Sequence, residues 1–592
     1  DPVALEPGRQ LDGRQGAMPD PCFAQRLMVS LEPGATLVCD WLLGEAMSET
    51  ELRDLQQRYA DPAAIGAAFD EAVAFWEDLV SRIQVETPEP AIDLMLNGWL
   101  LYQNLGCRIW ARSAFYQSGG AYGYRDQLQD AAALAVIRPD ITRAQLLLHA
   151  AHQFVEGDVL HWWHPAPLER GLRTRFSDDL LWLPSVTAHY VRVTGDVGVL
   201  DERRPYLTAP KLAPGQDEDY LAPKLSGESG DLYDHCCRAI DRSLTCGAHG
   251  LPLMGTGDWN DGMNRVGREG RGESVWMGFF LYRVLSDFLP LCERRGDQAR
   301  IDRYRAYQAE LERALETSGW DGDWYRRAYY DDGTPLGSAT DQECRIDALA
   351  QSWAALSGAV PRARAEQALD ALEHHLASEP EQLIRLLTPP FVDTTHDPGY
   401  IKGYVAGVRE NGCQYTHAAC WAVAALAELD RRERAASWLA RLSPISHSRT
   451  PEDVRRYRLE PYVVAADIYG APPHVGRGGW SWYTGSADWW YRVALESVLG
   501  LRVENGRELL IRPCIPASWP GFRLCYRLPD GVTACEIQVD NGDGGGSVIA
   551  ATLDGEPLTI QAGAARAVLP AGVGRHFIRV RLGASPVSVA TR

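Results

Sequence analysis

Apolar residues recur every three to four positions from about residue 91 to about residue 498. This spacing places apolar side chains on one face of an α-helix, so it predicts one helix after another. No strand pattern alternates with these helices, which argues against a parallel α/β sheet, and no repeat of fixed period indicates a long superhelix. About a dozen helices in one block therefore favour an (α/α)6 barrel. The predicted helices include DLMLNGWLLYQNLGCRIWARS, TRAQLLLHAAHQFVEG, DDLLWLPSVTAHYVRVTG, SVWMGFFLYRVLSDFLPLCERRG, CRIDALAQSWAALSG, THAACWAVAALAELD, EPYVVAADIYG and GSADWWYRVALESVLG.

The two ends of the chain alternate apolar and polar residues instead. Residues 499–592 contain several short segments of this kind and predict a C-terminal antiparallel β-sandwich. Near the start, RLMVSLEPGATLVCDWLL predicts two strands around a turn, and two strands do not form an independent sheet. Residues 1–45 are therefore predicted to be the tail of a truncated N-terminal β-sandwich, followed by a helical linker over residues 46–90. Since the first residue is not Met, we expect a piece of a longer protein.

The composition narrows the classes of partner. Apolar residues make up 45% of the chain and charged residues 23%, which is typical of a globular protein. A net charge of −20 without runs of Lys or Arg argues against nucleic acid or an anionic membrane as a partner. The 13 Cys include no C-x-x-C pair, which argues against structural zinc and disulfides and favours a cytoplasmic location.

The segments between the predicted helices combine Gly and aromatic residues with charged ones. Loops at one rim of a helical barrel can form a binding site. Sugars are bound by aromatic faces together with planar charged groups, so the 19 Trp favour a carbohydrate ligand, although Trp also fills contacts between helices. These segments are YQSGGAYGYRDQLQD, LHWWHPAPLERGLRTRFSDDLLWLP, MGTGDWNDGMNRVGREGRGES, GVRENGCQYTH and PPHVGRGGWSWYTGSADWW.

One of these segments, GDWNDGMN, places Asp258 and Asp261 on either side of Trp259. Glycosidic cleavage needs a carboxylic acid that stays protonated until it meets the leaving oxygen, and a hydrophobic wall raises the pKa of such a group. Either Asp could instead cap a turn or a helix. In HWWHP, His161 and His164 have the spacing of metal ligands, but no third ligand is evident, so sugar-binding or structural histidines are favoured and no metal is predicted.

Taken together, the motifs resemble the inverting phosphorylases of glycoside hydrolase family 94, the cellobiose and chitobiose phosphorylases. The resemblance covers nearly the whole chain and is carried by GYRDQLQD, HWWHP with SDDLLWLP, GDWNDGMN, RENGCQYTH and WYTGSADWW. Within the family, EPYVVAADIYG and the N-terminal DPVALEPGRQLDGRQGAMPDPC are most similar to the C-terminal phosphorylase region of cyclic β-1,2-glucan synthases and to 1,2-β-oligoglucan phosphorylases. The resemblance implies an N-terminal β-sandwich, a helical linker, an (α/α)6 catalytic barrel and a C-terminal sandwich.

The resemblance also implies the substrates and the residues that act on the sugar. The substrates would be a β-linked glucan oligosaccharide, with a β-1,2 linkage expected, and inorganic phosphate, without any cofactor. Asp261 would be the general acid and Trp259 would line the pocket, while Arg125 and Asp130 would hold the hydroxyls of the transferred glucosyl unit. Further sugar-binding candidates are Asp126, Asp178, Asp179 and, for the acceptor sugar, Glu410.

Phosphate would be bound by His417 and the turn Thr484-Gly485, with help from Arg112, according to the same resemblance. A phosphorylase needs one acid only, because phosphate itself attacks the sugar, whereas an inverting hydrolase needs a second carboxylate that activates water. One departure from the family is the extra acidic residue Asp488 after the phosphate turn. Two alternatives stay open, an (α/α)6 hydrolase and a non-catalytic glucan-binding module of a larger synthase. We expect either a homodimer or attachment to a membrane-bound synthase, of which the chain would be a cytoplasmic part.

Overall fold

The computed structural model describes residues 6, 8–11, 13, 24–115 and 117–584. The chain divides into two compact units, Asp1–Glu77 and Asp78–Arg592. In the described part of the first unit, residues 24–48 contain a turn at Pro33-Gly34 but neither helix nor strand, so the two strands predicted there are wrong. A two-stranded hairpin is at best marginal by itself, and no further strand is described in this unit that could pair with it.

The α-helices lie mostly where the apolar spacing predicts them. In the described part of the chain they are α1 Glu49–Arg58, α2 Pro62–Val80, α3 Pro90–Leu94, α4 Leu100–Tyr102, α5 Tyr124–Leu134, α6 Pro139–Ala150, α7 Trp182–Thr194, α8 Leu232–Ser243, α9 Val275–Arg295, α10 Gln298–Ala314, α11 Ala348–Ser357, α12 Arg362–Leu376, α13 Thr416–Glu428, α14 Arg432–Leu442, α15 Pro451–Tyr457 and α16 Ser486–Arg492. The π-helical segments Met95–Trp99 and Gln103–Ala111 join α3 and α4 into one longer helix. The helix predicted over EPYVVAADIYG is wrong, because residues 460–470 contain no helix.

The helices of the second unit follow a closed circuit of contacts. α5 contacts α7, and the circuit continues through α9, α11 and α13 to α16, which returns to α5. Helices α6, α10, α12 and α14 each contact members of this circuit. Helix α13 is buried without a break from Thr416 to Ala427, whereas α10 buries only a stripe of its residues. Such a contrast is expected when one set of helices lies inside another.

Helix α9 also has the length and composition of a membrane-spanning helix, alone among the helices of the described residues. Within the protein, 67% of the apolar window of α9 is buried. The core helices of a helical domain have the same composition.

Short strands connect the helices, and two groups of these strands hold residues of the candidate site. One is the sheet β2–β3–β4–β6, and the other is the pair β15–β16. The strands that precede the C-terminal domain are β1 Ile83–Glu86, β2 Tyr122–Gly123, β3 Leu160–His164, β4 Arg170–Arg173, β5 Arg203–Thr208, β6 Asp219–Leu221, β7 Lys224–Asp231, β8 Glu273–Ser274, β9 Ala328–Tyr329, β10 Pro335–Leu336, β11 Ile346–Asp347, β12 Ala377–Ser378, β13 Leu383–Ile384, β14 Leu387–Thr388, β15 Gln414–Tyr415 and β16 Asp467–Ile468.

The C-terminal residues form two sheets, as the alternating pattern predicts. Their strands are β17 Leu501–Glu504, β18 Glu508–Ile511, β19 Gly521–Arg527, β20 Thr533–Asp540, β21 Ser547–Leu553, β22 Glu556–Pro557, β23 Thr559–Gln561, β24 Ala564–Val568 and β25 Gly574–Gly583. The sheet orders are β1–β19–β20–β25–β21–β22 and β17–β18–β24–β23. The prediction of a purely antiparallel sandwich is wrong, because β20 and β25 run parallel. A parallel pair needs a long crossover, and the chain supplies one through β21 to β24.

Candidate active site

A cavity of about 600 Å³ lies where the sheet β2–β3–β4–β6, the N-termini of α5 and α13, and the loops before α9 and α16 meet. Most of the residues predicted to bind sugar or phosphate line this cavity. On the sugar side they are Arg125, Asp126, Trp259, Asp261 and Glu410, and on the phosphate side His417, Thr484 and Gly485. The other predicted site residues, Arg112, Asp130, Asp178 and Asp179, are not among the lining residues.

Asp261 projects into the cavity from a short 3₁₀ turn, and 32% of its side chain is exposed. Arg125 Nη2 donates to Asp261 Oδ1 over 2.5 Å, and His161 Nε2 lies 3.7 Å from Asp261 Oδ2. Burial opposes the charge of this carboxylate, but Arg125 and His161 outweigh burial and lower the pKa of Asp261 to about 2. In the unliganded protein Asp261 is therefore ionised, contrary to the expectation that the wall of Trp259 raises its pKa.

His161 connects Asp261 to a buried carboxylate behind the cavity wall. Its Nδ1 lies 2.8 Å from Asp179 Oδ2. Burial favours the neutral ring, but Asp179 and Asp261 outweigh it and raise the pKa of His161 to about 10. The sequence patterns did not indicate this role, since the spacing of His161 and His164 without a third metal ligand favoured only a sugar-binding or structural histidine.

Asp178 and Asp179 do not line the cavity, but they bind residues that do. Arg125 Nη1 lies 3.1 Å from Asp178 Oδ1, and Trp182 Nε1 donates to Asp178 Oδ2 over 3.1 Å. Burial raises the pKa of Asp178 to about 7 despite the attraction of Arg125. In this structure the pair orients Arg125 and His161, and direct contact of either Asp with sugar stays a prediction.

Asp258, the first Asp of D-W-N-D, has a different environment from Asp261. It is completely buried, and its two carboxylate oxygens accept from Arg327 over 2.6 Å each. Ser274 Oγ donates to Asp258 Oδ2 over 2.7 Å. A carboxylate with these partners holds the base of the loop, so of the two Asp only Asp261 is available to a ligand.

The phosphate-side residues converge around the backbone of Gly485. A methyl group placed on Gly485 would lie 3.6 Å from Arg108 Nη2 and 3.7 Å from His417 Nδ1. Thr484 Oγ1 lies beside them and donates to Ser486 Oγ over 2.8 Å. We call Arg108, His417, Thr484 and Gly485 the anion cradle.

His417 presents its Nδ1 to the anion cradle, where Nδ1 is the ring nitrogen nearest Gly485. Its Nε2 is buried at the other edge of the ring and has no hydrogen-bond partner among the described residues. Burial, together with Arg125 and Arg108, lowers the pKa of His417 to about 3, so the ring is neutral without a ligand. A neutral imidazole can donate one hydrogen bond to an oxyanion, and a nearby anion would favour its protonated form.

Arg108, not the predicted Arg112, provides the guanidinium of the anion cradle. Arg112 ends its helix with φ 49° and donates to the carbonyl oxygens of Ile109, Trp110 and Gly120. Arg108 lies one helical turn earlier, lines the cavity and covers the ring of Tyr483 at 4.1 Å. The available signal was that buried polar residues recur at one-turn spacing on this helix.

Arg108 also binds two acidic residues of α5. Its Nε donates to Asp130 Oδ2 over 2.8 Å, and its Nη2 donates to Asp126 Oδ1 over 3.1 Å. Because Asp126 and Asp130 are one turn apart, both face the same side of α5, with Asp126 at the cavity and Asp130 completely buried. Asp130 thus contacts the anion cradle from below, and its predicted contact with sugar hydroxyls stays a prediction.

Glu410, which is predicted to contact the acceptor sugar, lines the cavity beside Arg409. Burial raises the pKa of Glu410, with Asp261 among the contributing charges. Glu410 Oε2 is buried without a hydrogen-bond partner, and Arg409 Nε lies 3.6 Å from it. Arg409 lines the same cavity and covers Trp480 at 4.6 Å, so it is a second residue that the sequence patterns did not indicate.

Comparisons with known proteins identify the family of the chain. The family model described as "Glycosyl hydrolase 94 superfamily, catalytic domain" matches residues 75–500, and "Glycosyl hydrolase 94, supersandwich domain" matches residues 1–62. The chain is 48% identical to the cyclic beta-(1,2)-glucan synthase NdvB of Rhizobium meliloti over 92% of the chain, but it spans only 19% of that synthase.

Two phosphorylases are also similar. The chain is 31% identical to the N,N'-diacetylchitobiose phosphorylase of Vibrio proteolyticus, covering 94% of the chain and 69% of that enzyme. It is 22% identical to the 1,2-beta-oligoglucan phosphorylase of Listeria innocua, covering 72% of the chain and 39% of that enzyme.

Proposed function

The chain belongs to the glycosyl hydrolase 94 superfamily, and on this premise we propose that it catalyses inverting phosphorolysis of β-linked glucooligosaccharides with Asp261 as the proton donor. The observation that carries this proposal is that Asp261 and the anion cradle line one cavity. We also propose that the closed circuit of helices around this cavity is an (α/α)6 barrel.

In the proposed reaction, a phosphate oxygen bound by the anion cradle attacks C1 of the terminal glucosyl unit. The glycosidic C1–O bond breaks on the opposite face, and Asp261 gives its proton to the leaving oxygen. The proton that phosphate loses replaces the one that Asp261 has given, so protons balance over the whole reaction. The products are α-glucose 1-phosphate and a glucan shortened by one unit.

The ionised state of Asp261 in the unliganded protein sets a requirement on substrate binding. Arg125 is predicted to hold sugar hydroxyls, and any hydrogen bond it gives to sugar weakens its bond to Asp261. Excluding water with a bound sugar strengthens the burial effect that already opposes the charge of Asp261. Both changes raise the pKa of Asp261, so we propose that it becomes protonated only in the complex.

The chemistry of the anion cradle supports phosphate rather than water as the nucleophile. One carboxylate about 4 Å from a phosphate dianion costs on the order of 4 kcal/mol per unit charge at an effective dielectric of 20. Arg108 and His417 offset this repulsion, as does the backbone at Gly485. Water would need no such cation, but it would need a carboxylate that activates it.

The hydrolase alternative needs a carboxylate that activates water, and two carboxylates of the cavity are candidates for this role. Asp126 and Glu410 both line the cavity and could activate water. Incubation with β-1,2-glucooligosaccharides, with and without inorganic phosphate, separates the two reactions. We expect α-glucose 1-phosphate with phosphate and no release of glucose without it. Equal release of glucose in phosphate-free buffer would reject the proposal.

The second alternative is a glucan-binding module without catalysis, which the partial coverage of the relative NdvB keeps open. It predicts that the parent and Asp261→Asn bind saccharide equally and turn over none. Loss of a general acid should instead reduce the rate by roughly 10²–10⁴. The β-1,2 linkage is a proposal that rests on the names of the relatives, and a panel of β-1,2, β-1,3 and β-1,4 oligosaccharides tests it. A cytoplasmic location and attachment to a membrane-bound synthase stay proposals from the cysteine pattern and the family resemblance.

A further inference from the structure

The extra acidic residue of the phosphate turn, Asp488, lies beneath the anion cradle. Asp488 belongs to the first turn of α16, the helix that begins directly after Gly485. Only 1% of the residue is exposed. Asp488 is not among the residues that line the cavity. Its carboxyl group therefore reaches a ligand only through other residues.

The carboxyl groups of Asp488 and Asp130 are both buried and lie near each other, since each is among the groups that shift the pKa of the other. Asn104 holds both residues, because its Nδ2 donates to the carbonyl oxygen of Asp130 over 3.0 Å and also to Asp488 Oδ1. Among the described residues, no hydrogen-bond donor reaches Asp130 Oδ1 or Asp488 Oδ2. The methyl position of Gly485 is 3.4 Å from Asp130 Oδ1, so the pair contacts the cradle itself.

Two carboxyl oxygens without any other donor can face each other favourably only if a proton lies between them. The surrounding charges favour the same state. Among the described residues, Arg108 is the guanidinium that acts on both carboxyl groups, and it already binds Asp126 as well as Asp130. From α13, the ring of His417 is neutral and supplies no positive charge. Burial and Asp130 raise the pKa of Asp488 well above its usual range.

We propose that Asp488 is a positioning residue of the phosphate site, which shares one proton with Asp130 and thereby reduces the negative charges around Arg108 and an incoming anion from three to two. The inference rests on the proposed function, since it assumes that phosphate binds at the anion cradle. With both carboxylates ionised, Arg108 would face three negative charges beside an incoming anion. With the shared proton, the pair carries one charge, and the position of Arg108 is fixed by two ion pairs.

Two variants test this role on the full chain. Asp488→Asn keeps the shape and can donate to Asp130 while accepting from Asn104, so it imitates the protonated acid. Asp488→Ala removes both hydrogen bonds. Phosphate binding is measured by isothermal titration calorimetry with inorganic phosphate at pH 7. We expect the dissociation constant to rise about tenfold or more in Asp488→Ala and to return to within about threefold of the parent in Asp488→Asn.

The proton itself is tested by infrared spectroscopy, which does not depend on phosphate. The difference spectrum between the parent and Asp488→Asn at pH 7 should contain the C=O stretch of a protonated carboxyl group. Absence of that band, or phosphate binding lost equally in both variants, overturns the inference. If the parent binds no phosphate, the proposed function fails as well, while the infrared band still decides whether the pair holds a proton.

Discussion

Substitution by Asn should lower the free energy of unfolding more at Asp258 than at Asp261, the two Asp of D-W-N-D. Asp258→Asn removes the charge that balances Arg327 in a completely buried pair. Breaking such a pair from one side costs about 3–5 kcal/mol. Asp347 lies 3.5 Å from Arg327 Nε and takes over part of the pairing, so we expect the lower end, about 3 kcal/mol. Asp261→Asn should cost about 1–2 kcal/mol, because the lowered pKa of Asp261 corresponds to about 2 kcal/mol and solvent screens part of it at this partly exposed carboxylate.

Urea unfolding followed by tryptophan fluorescence measures the difference. For a slope of about 3 kcal/mol per M urea, Asp258→Asn should lower the midpoint of unfolding by about 1 M, and Asp261→Asn by a few tenths. The double variant Asp258→Asn/Arg327→Gln should recover only about 1 kcal/mol of the loss, since it removes the unpaired guanidinium but leaves the buried Asp347 without its ion pair. A parent-like midpoint for Asp258→Asn, or a larger loss of stability for Asp261→Asn, would refute these roles.

Three further substitutions probe the cavity. Arg108→Gln should raise the KM for phosphate about tenfold or more, with less effect on saccharide binding. The matched control Arg112→Gln should change the KM for phosphate less than threefold in the same assay. Gly485→Ala should abolish phosphate binding in calorimetry at unchanged stability, because its φ of −66° tolerates alanine while the methyl group fills the cradle; phosphate binding at parent affinity would contradict this geometry. His161→Gln should raise the pKa of Asp261 from about 2 toward 3.8, measured by carbon NMR of labelled Asp. The pKa of His161 is about 10 in the folded protein and 6.5 in the unfolded chain, so its contribution to stability is complete below pH 6.5 and is lost as the pH rises through 10. A difference in stability between the parent and His161→Gln that stays constant over this pH range would contradict the ion pair.

The helical domain could be predicted wherever the apolar spacing is uninterrupted. Helix α13 is an example, because alanines and large apolar residues fill its whole buried length. The segment that forms helix α5 is predicted to be a loop, since it buries the polar residues Gln127, Gln129 and Asp130, each of which also has a partner distant in sequence. The opposite error occurred at residues 460–470, where the apolar run is buried as extended chain. There the amide of Gln103 bonds both the N–H and the C=O of Val464.

The site was predictable in its residue types but not in its charge states. Motifs placed Asp261, His417 and Gly485 in one cavity, because each motif adjoins a helix end that faces it. The choice between Arg108 and Arg112 depends on where a π-helical segment ends, which sequence spacing does not reveal. The ionised state of Asp261 depends on Arg125 of α5 and His161 of β3, which are distant from Asp261 in sequence.

The most direct test of the central claim is a phosphorus NMR time course with a β-1,2-glucooligosaccharide and inorganic phosphate. The account predicts that α-glucose 1-phosphate appears as fast as the glucan shortens, and that Asp261→Asn slows both by at least about a hundredfold. Glucan shortening at the parent rate without any sugar phosphate signal, or in the Asp261→Asn variant, would contradict it.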